Sequence, residues 1–108
     1  MKSCITCGMP LEGNHENDIG IELPEGLVCK FDSENGAVKS GKDIFEGGVV
    51  FFLDAVAEGD RVLAERLTRK NMKSLPYWHA RPFVELLGDE ATDEEFAAAM
   101  AKLAAHAA

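Results

Sequence analysis

Cys4 and Cys7 stand two residues apart in Cys4-Ile5-Thr6-Cys7-Gly8-Met9-Pro10. Cys29 and Asp32 repeat that spacing further on, so the chain reads Cys-x2-Cys-x21-Cys-x2-Asp. A tight turn brings residues i and i+3 to the same side. Two such turns facing each other offer three thiolates and a carboxylate to one ion, a donor set that suits Zn2+. Gly8, directly after Cys7, supplies the backbone freedom the first turn needs. The expected metal ligands are therefore Cys4, Cys7, Cys29 and Asp32. The assembled site would stay negatively charged, and backbone N–H groups together with Lys30 are expected to offset part of that charge.

The fourth ligand has competitors. His15 lies in a loop and would complete a three-cysteine, one-histidine set. His79 and His106 lie beyond helices and need a long return of the chain. Asp32 is preferred because it stands three residues after Cys29, where its carboxylate reaches the ion without moving the backbone far.

Other uses of the cysteines fit less well. An odd number of cysteines, three, does not suit a disulfide framework. A redox Cys-x-x-Cys should follow a strand and open a helix, whereas Gly8-Met9-Pro10 breaks the chain. The N-terminus lacks the apolar stretch of a secretory signal, and no apolar run approaches the ~20 residues of a membrane span. The expectation is a protein of a reducing cytoplasm, with its thiolates on metal and no membrane association.

The elements that would position these ligands read as α+β. The N-terminal part is rich in Gly, Asn and acids, and poor in large apolar groups, so it needs a staple to fold. Residues 1–10 read as a knuckle at the turn of a short hairpin and 11–26 as a loop. Leu27 to Phe31 reads as a strand. Asn35-Gly36 is a hairpin turn that returns through Ala37-Val38-Lys39. Ser40 then caps a helix on which Ile44, Phe45, Val49, Phe52, Leu53 and Val56 share one side. Asp60 caps a second helix with Val62, Leu63, Leu67 and Met72 on its apolar side. Pro76 stops that helix near Ser74. Tyr77 and Trp78 read as an aromatic plug, and Pro82 to Gly88 as a further helical turn or two. Thr92 and Glu95 form a capping box that opens an Ala-rich helix to about Ala107, with Phe96, Met100 and Leu103 on one face. An Ala-rich helix buries little, so loose attachment is expected. The expected organisation is a zinc ribbon of short β-hairpins over residues 1–40, a helical hairpin packed on it over 41–80, and a C-terminal helical extension over 81–108.

The combination of Cys4 to Pro10, Cys29-x-x-Asp32, Gly36, Ser40 and Met72-Lys73-Ser74-Leu75-Pro76-Tyr77-Trp78 resembles the small bacterial and archaeal zinc ribbon proteins. In these a Cys-x-x-Cys-Gly-Met-Pro knuckle precedes a second Cys-x-x-Cys pair and a helical hairpin. The resemblance covers about residues 1–80. It implies zinc binding and no known catalytic activity. The chain departs from that pattern at Asp32, which replaces the last cysteine, and in residues 81–108, which extend it.

The formal net charge of −8 disfavours phosphate backbones as partners. The charge is uneven. Residues 61–81 carry six basic side chains and one acidic, and residues 82–108 carry one basic and six acidic. The expected arrangement is that the acidic flanks pack on the basic middle. The expected function is a small interaction or regulatory module that binds an as yet undefined protein partner, with a structural metal and no enzymatic activity. The main alternative is a nucleic-acid-binding ribbon that uses the basic segment together with Tyr77 and Trp78. The other is a zinc enzyme in which Asp32 leaves a coordination position open and Glu34 acts as base.

Overall fold

The computed structural model describes residues 2–107, and side chains as far as residue 105. It is α+β, with two small antiparallel hairpins followed by helices. The first knuckle closes on itself. Cys4 N–H donates to the Met9 carbonyl at 2.9 Å, Gly8 N–H donates to the Cys4 carbonyl at 2.8 Å, and Ser3 bridges Pro10. Gly8 has φ +82°, in the left-handed region that costs glycine nothing.

The stretch after the knuckle is more regular than its turn residues suggested. A 3-10 helix spans Gly13–Asp18, and β1 (Ile19–Leu23) pairs antiparallel with β2 (Gly26–Cys29). Residues 11–26 are thus not simply a loop. Ile19, Ile21 and Leu23 are half-buried and alternate with exposed Gly20 and Glu22, the period of a strand with one covered face. The register breaks between Ile19 and Ile21. A Cβ on Gly20 would lie 2.2 Å from Ser33 Oγ and 2.8 Å from Lys30 Cα, so only glycine lets β1 pass the second knuckle. β3 (Ser33–Glu34) and β4 (Ala37–Val38) follow, joined by Asn35 (φ +53°) and Gly36 (φ +80°), as a tight hairpin requires.

Ser40 accepts from Asp43 N–H at 3.1 Å and starts α1 (Gly41–Ala55). Asp60 accepts from Leu63 N–H at 3.1 Å and starts α2 (Arg61–Lys73). The two helices form the expected hairpin. Ile44, Phe45, Val49, Phe52 and Val56 are buried with Ala64, Leu67 and Met72. Val62 is not part of this seam, being 66% exposed; the helix presents Ala64 and Thr68 instead. Small residues meet there because the axes come close: a Cβ on Gly48 would sit 2.9 Å from Thr68 Cγ2.

A short helix, α3 (Pro76–His79), carries Trp78 into the core, and a 3-10 turn over Val84–Leu86 adds Leu86. The last helix, α4 (Asp93–Ala107), opens with a reciprocal cap: Glu95 N–H donates to Thr92 Oγ1 and Thr92 N–H to Glu95 Oε1. Its attachment is firmer than its alanine content suggested. Ala99 is buried, and Phe96, Met100 and Leu103 pack on the core. Arg66 pairs with Glu95 at 2.6 Å, Lys70 with Asp93 at 2.6 Å and Lys73 with Glu90 at 2.9 Å. The acidic flank does lie on the basic helix. No helix among the described residues is long and apolar enough to cross a membrane.

A second, smaller core lies under the knuckles, where Leu11 and Val28 pack with Cys4 and Cys29. Val38 touches both cores.

Candidate metal centre

Each knuckle delivers its ligands by a local turn. In the first, the Gly8-to-Cys4 hydrogen bond folds Cys4 and Cys7 to one side. In the second, Asp32 N–H donates to the Cys29 carbonyl at 3.2 Å, which turns Asp32 back towards Cys29. Lys39 N–H in turn holds the Asp32 carbonyl at 2.8 Å. The β1–β2 pairing then sets Cys29 against the first knuckle. One ligand atom from each of Cys4, Cys7, Cys29 and Asp32 lies within 4.8 Å of all the others.

Two of the separations match those around a tetrahedral ion. Sulfurs about 2.3 Å from zinc at tetrahedral angles lie about 3.8 Å apart, and a carboxylate oxygen at about 2.0–2.2 Å lies about 3.5–3.7 Å from each sulfur. Cys7 Sγ and Cys29 Sγ are 3.8 Å apart, and Cys4 Sγ and Asp32 Oδ2 are 3.7 Å apart. Cys4, Cys29 and Asp32 are buried, and Cys7 is half-buried.

The surroundings supply a donor to each of Cys4 and Asp32. Cys29 N–H donates to Cys4 Sγ at 3.2 Å. Thr6 is fully buried, and its hydroxyl donates to Asp32 Oδ2 at 2.7 Å while lying 3.0 Å from Cys4 Sγ. Lys30 does not help: its ammonium pairs with Asp18 at 3.1 Å. Charge compensation therefore comes from a backbone N–H and a hydroxyl.

The titration behaviour shows how crowded the four groups are. Hydrogen bonds from the Cys29 and Cys7 thiols, then from Thr6 and the Cys29 N–H, hold Cys4 well below an ordinary thiol. Cys29, hydrogen-bonded to Cys4, is pushed up to about 12. The hydrogen bond to Cys29, with burial and the Asp32 charge behind it, pushes Cys7 up. Burial raises Asp32. Four acids share a pocket that tolerates few negative charges. A divalent cation resolves that conflict, displacing the protons as it binds.

All four expected ligands come together. His15 instead lies beside Asp18, its Nδ1 3.1 Å from Oδ2, in an exposed pair. The Nε2 of His79 is 2.6 Å from the Lys73 carbonyl. The side chain of His106 lies outside the described residues. The residues that sequence reasoning passed over are those around the ligands. Thr6 stands between the two cysteines. Asn71 Nδ2 donates to the Cys7 carbonyl at 2.8 Å and Trp78 Nε1 to the Thr6 carbonyl at 2.9 Å. Both come from the helical part and grip the first knuckle by its backbone.

No family model matches the chain, and no curated protein or solved structure matches it either.

Proposed function

We propose that this chain is a zinc-binding protein of the zinc ribbon kind. Its metal holds the fold and performs no chemistry. The observation that carries the reading is the matched pair of knuckles, which brings three sulfurs and a carboxylate oxygen within 4.8 Å of one another, two of the separations being those of a tetrahedral ion. Thiolate-rich sets favour zinc over the harder divalent ions. Cys4, Cys7, Cys29 and Asp32 fill four positions, so no place remains for a reactive water and the reading is non-enzymatic. Glu34, the base an enzyme would have needed, is exposed on β3.

The module acts, in this reading, in the cytoplasm by binding another protein. Val50 and Phe51 on the outer side of α1 are more than half exposed, and so is Phe31 beside the second knuckle. The nucleic-acid alternative loses its main support. Arg61, Arg66, Lys70, Lys73 and Arg81 each pair with a carboxylate, and Arg69 donates to the Glu85 and Asp89 carbonyls. Phosphates would have to displace these partners.

Native mass spectrometry of the purified chain tests the zinc reading. The expected mass is that of the chain plus one zinc, lost on acidification. A chain that is metal-free as purified, and takes up no zinc when it is supplied, would refute it.

A further inference from the structure

Among the four residues of the cluster Cys7 is the most open to solvent, being half-buried; Cys4 is 1% exposed, Cys29 0% and Asp32 8%. The sulfurs also differ in their donors. Cys4 Sγ receives the Cys29 N–H and lies against the Thr6 hydroxyl, and such donors withdraw electron density from a thiolate and slow its attack. The Cys7 sulfur lies 3.8 Å from Cys29 Sγ and meets only the other three groups of the cluster; among the described residues no backbone N–H or hydroxyl donates to it. A reactive cysteine is an accessible one with an available sulfur lone pair and a second thiol nearby to resolve it.

We propose that Cys7 is the oxidation site of the centre, and that hydrogen peroxide converts Cys7 and Cys29 into a disulfide that expels the metal. The proposal rests on the zinc reading above. The Cys7 thiolate attacks one peroxide oxygen, the O–O bond breaks, and the departing hydroxide takes a proton to become water. Cys7 is then a sulfenic acid. The Cys29 thiolate attacks the Cys7 sulfur, the S–O bond breaks, and the second hydroxide leaves with another proton as water. Two thiolates lose two electrons in all, and one peroxide gains them. Cys4 and Asp32 remain, and two donors do not hold zinc against the solvent. The carboxylate matters here, because a four-cysteine ribbon would keep a second thiolate after the same event.

The test starts from the full chain with its zinc content measured. One equivalent of peroxide is added while a colorimetric chelator reports free zinc, and the product is mapped by peptide mass spectrometry. The expected result is release of the bound zinc together with a Cys7–Cys29 disulfide. Limiting N-ethylmaleimide on the zinc-loaded chain should label Cys7 at least about tenfold faster than Cys4 or Cys29. Zinc retained under excess peroxide overturns the proposal, as does a disulfide that leaves Cys7 out or joins it to Cys4. A chain that never holds zinc overturns the zinc reading first, and this inference with it.

Discussion

The indole Nε1 of Trp78 donates to the carbonyl oxygen of Thr6 at 2.9 Å, joining residues 72 positions apart. Trp78 belongs to the helical core, and Thr6 lies between Cys4 and Cys7 of the candidate metal centre. Asn71 repeats the link one residue along, on the Cys7 carbonyl. These bonds need the knuckle to keep its turn, and in the proposed reading the apolar-poor knuckle depends on the ion for that. Removing the metal with a chelator should therefore shift the emission of the one Trp to longer wavelength as its ring is exposed. The helical signal in circular dichroism should fall only in part, because the seam between α1 and α2 needs no metal. Trp emission unmoved by complete zinc removal would contradict the coupling.

The neighbouring glycines of α1 should respond with opposite signs. A Cβ on Gly47 meets nothing within 4 Å, so Gly47→Ala gains helix propensity and should stabilise the chain by about 1 kcal/mol. On Gly48 the same methyl would lie 2.9 Å from Thr68 Cγ2 and force the two helices apart. Gly48→Ala should cost about 1–3 kcal/mol despite the same propensity gain. Urea denaturation of both variants gives the comparison, and equal shifts would show that the close approach of α1 and α2 does not matter.

Thr6→Val keeps the shape of the buried side chain and removes its hydroxyl from Asp32 and Cys4. Loss of a hydrogen bond that orients a ligand typically weakens metal binding by about 10–100-fold. Competition against a chromophoric zinc chelator should show that loss, with the circular dichroism of the zinc-saturated variant unchanged. Affinity equal to that of the parent would mean Thr6 only fills space.

The docking of α4 should weaken in acid. Arg66, with the Thr92 N–H behind it, holds Glu95 at about 2, against 4.5 for a free glutamate. A depressed folded-state value means the stabilisation is complete above about 4.5 and is lost as pH falls towards 2. The stability difference between the parent and Glu95→Gln should be constant near neutrality and shrink over that window. Salt should reduce it as well, because the pair is partly exposed. A difference that does not change with pH would remove Arg66 as the cause.

The pairing within each knuckle, Cys4 with Cys7 and Cys29 with Asp32, was legible because it is local: residues three apart at a tight turn face one way whatever the rest of the chain does. The caps at Ser40, Asp60 and Thr92 were legible for the same reason. β1 was hidden by its own glycine, since Gly20 and the turn residues around it read as loop while Ile19, Ile21 and Leu23 already alternated. The place of Val62 depended on how closely α1 and α2 approach, which Gly48 and Thr68 settle together and neither reveals alone. The grip of Asn71 and Trp78 on the knuckle joins residues more than 60 apart and leaves no periodic trace. The hold on α4 combines ion pairs, which the charge distribution announced, with the packing of Ala99, Phe96, Met100 and Leu103, which the alanine content understated.

The most direct test of the account is X-ray absorption at the zinc edge of the purified, zinc-loaded chain. Three sulfurs at about 2.3 Å and one oxygen at about 2.0–2.2 Å are expected, and Asp32→Ala should remove or replace only the oxygen. A shell with fewer than three sulfurs, or one showing the scattering of an imidazole ring in place of the carboxylate, would contradict the site built from Cys4, Cys7, Cys29 and Asp32.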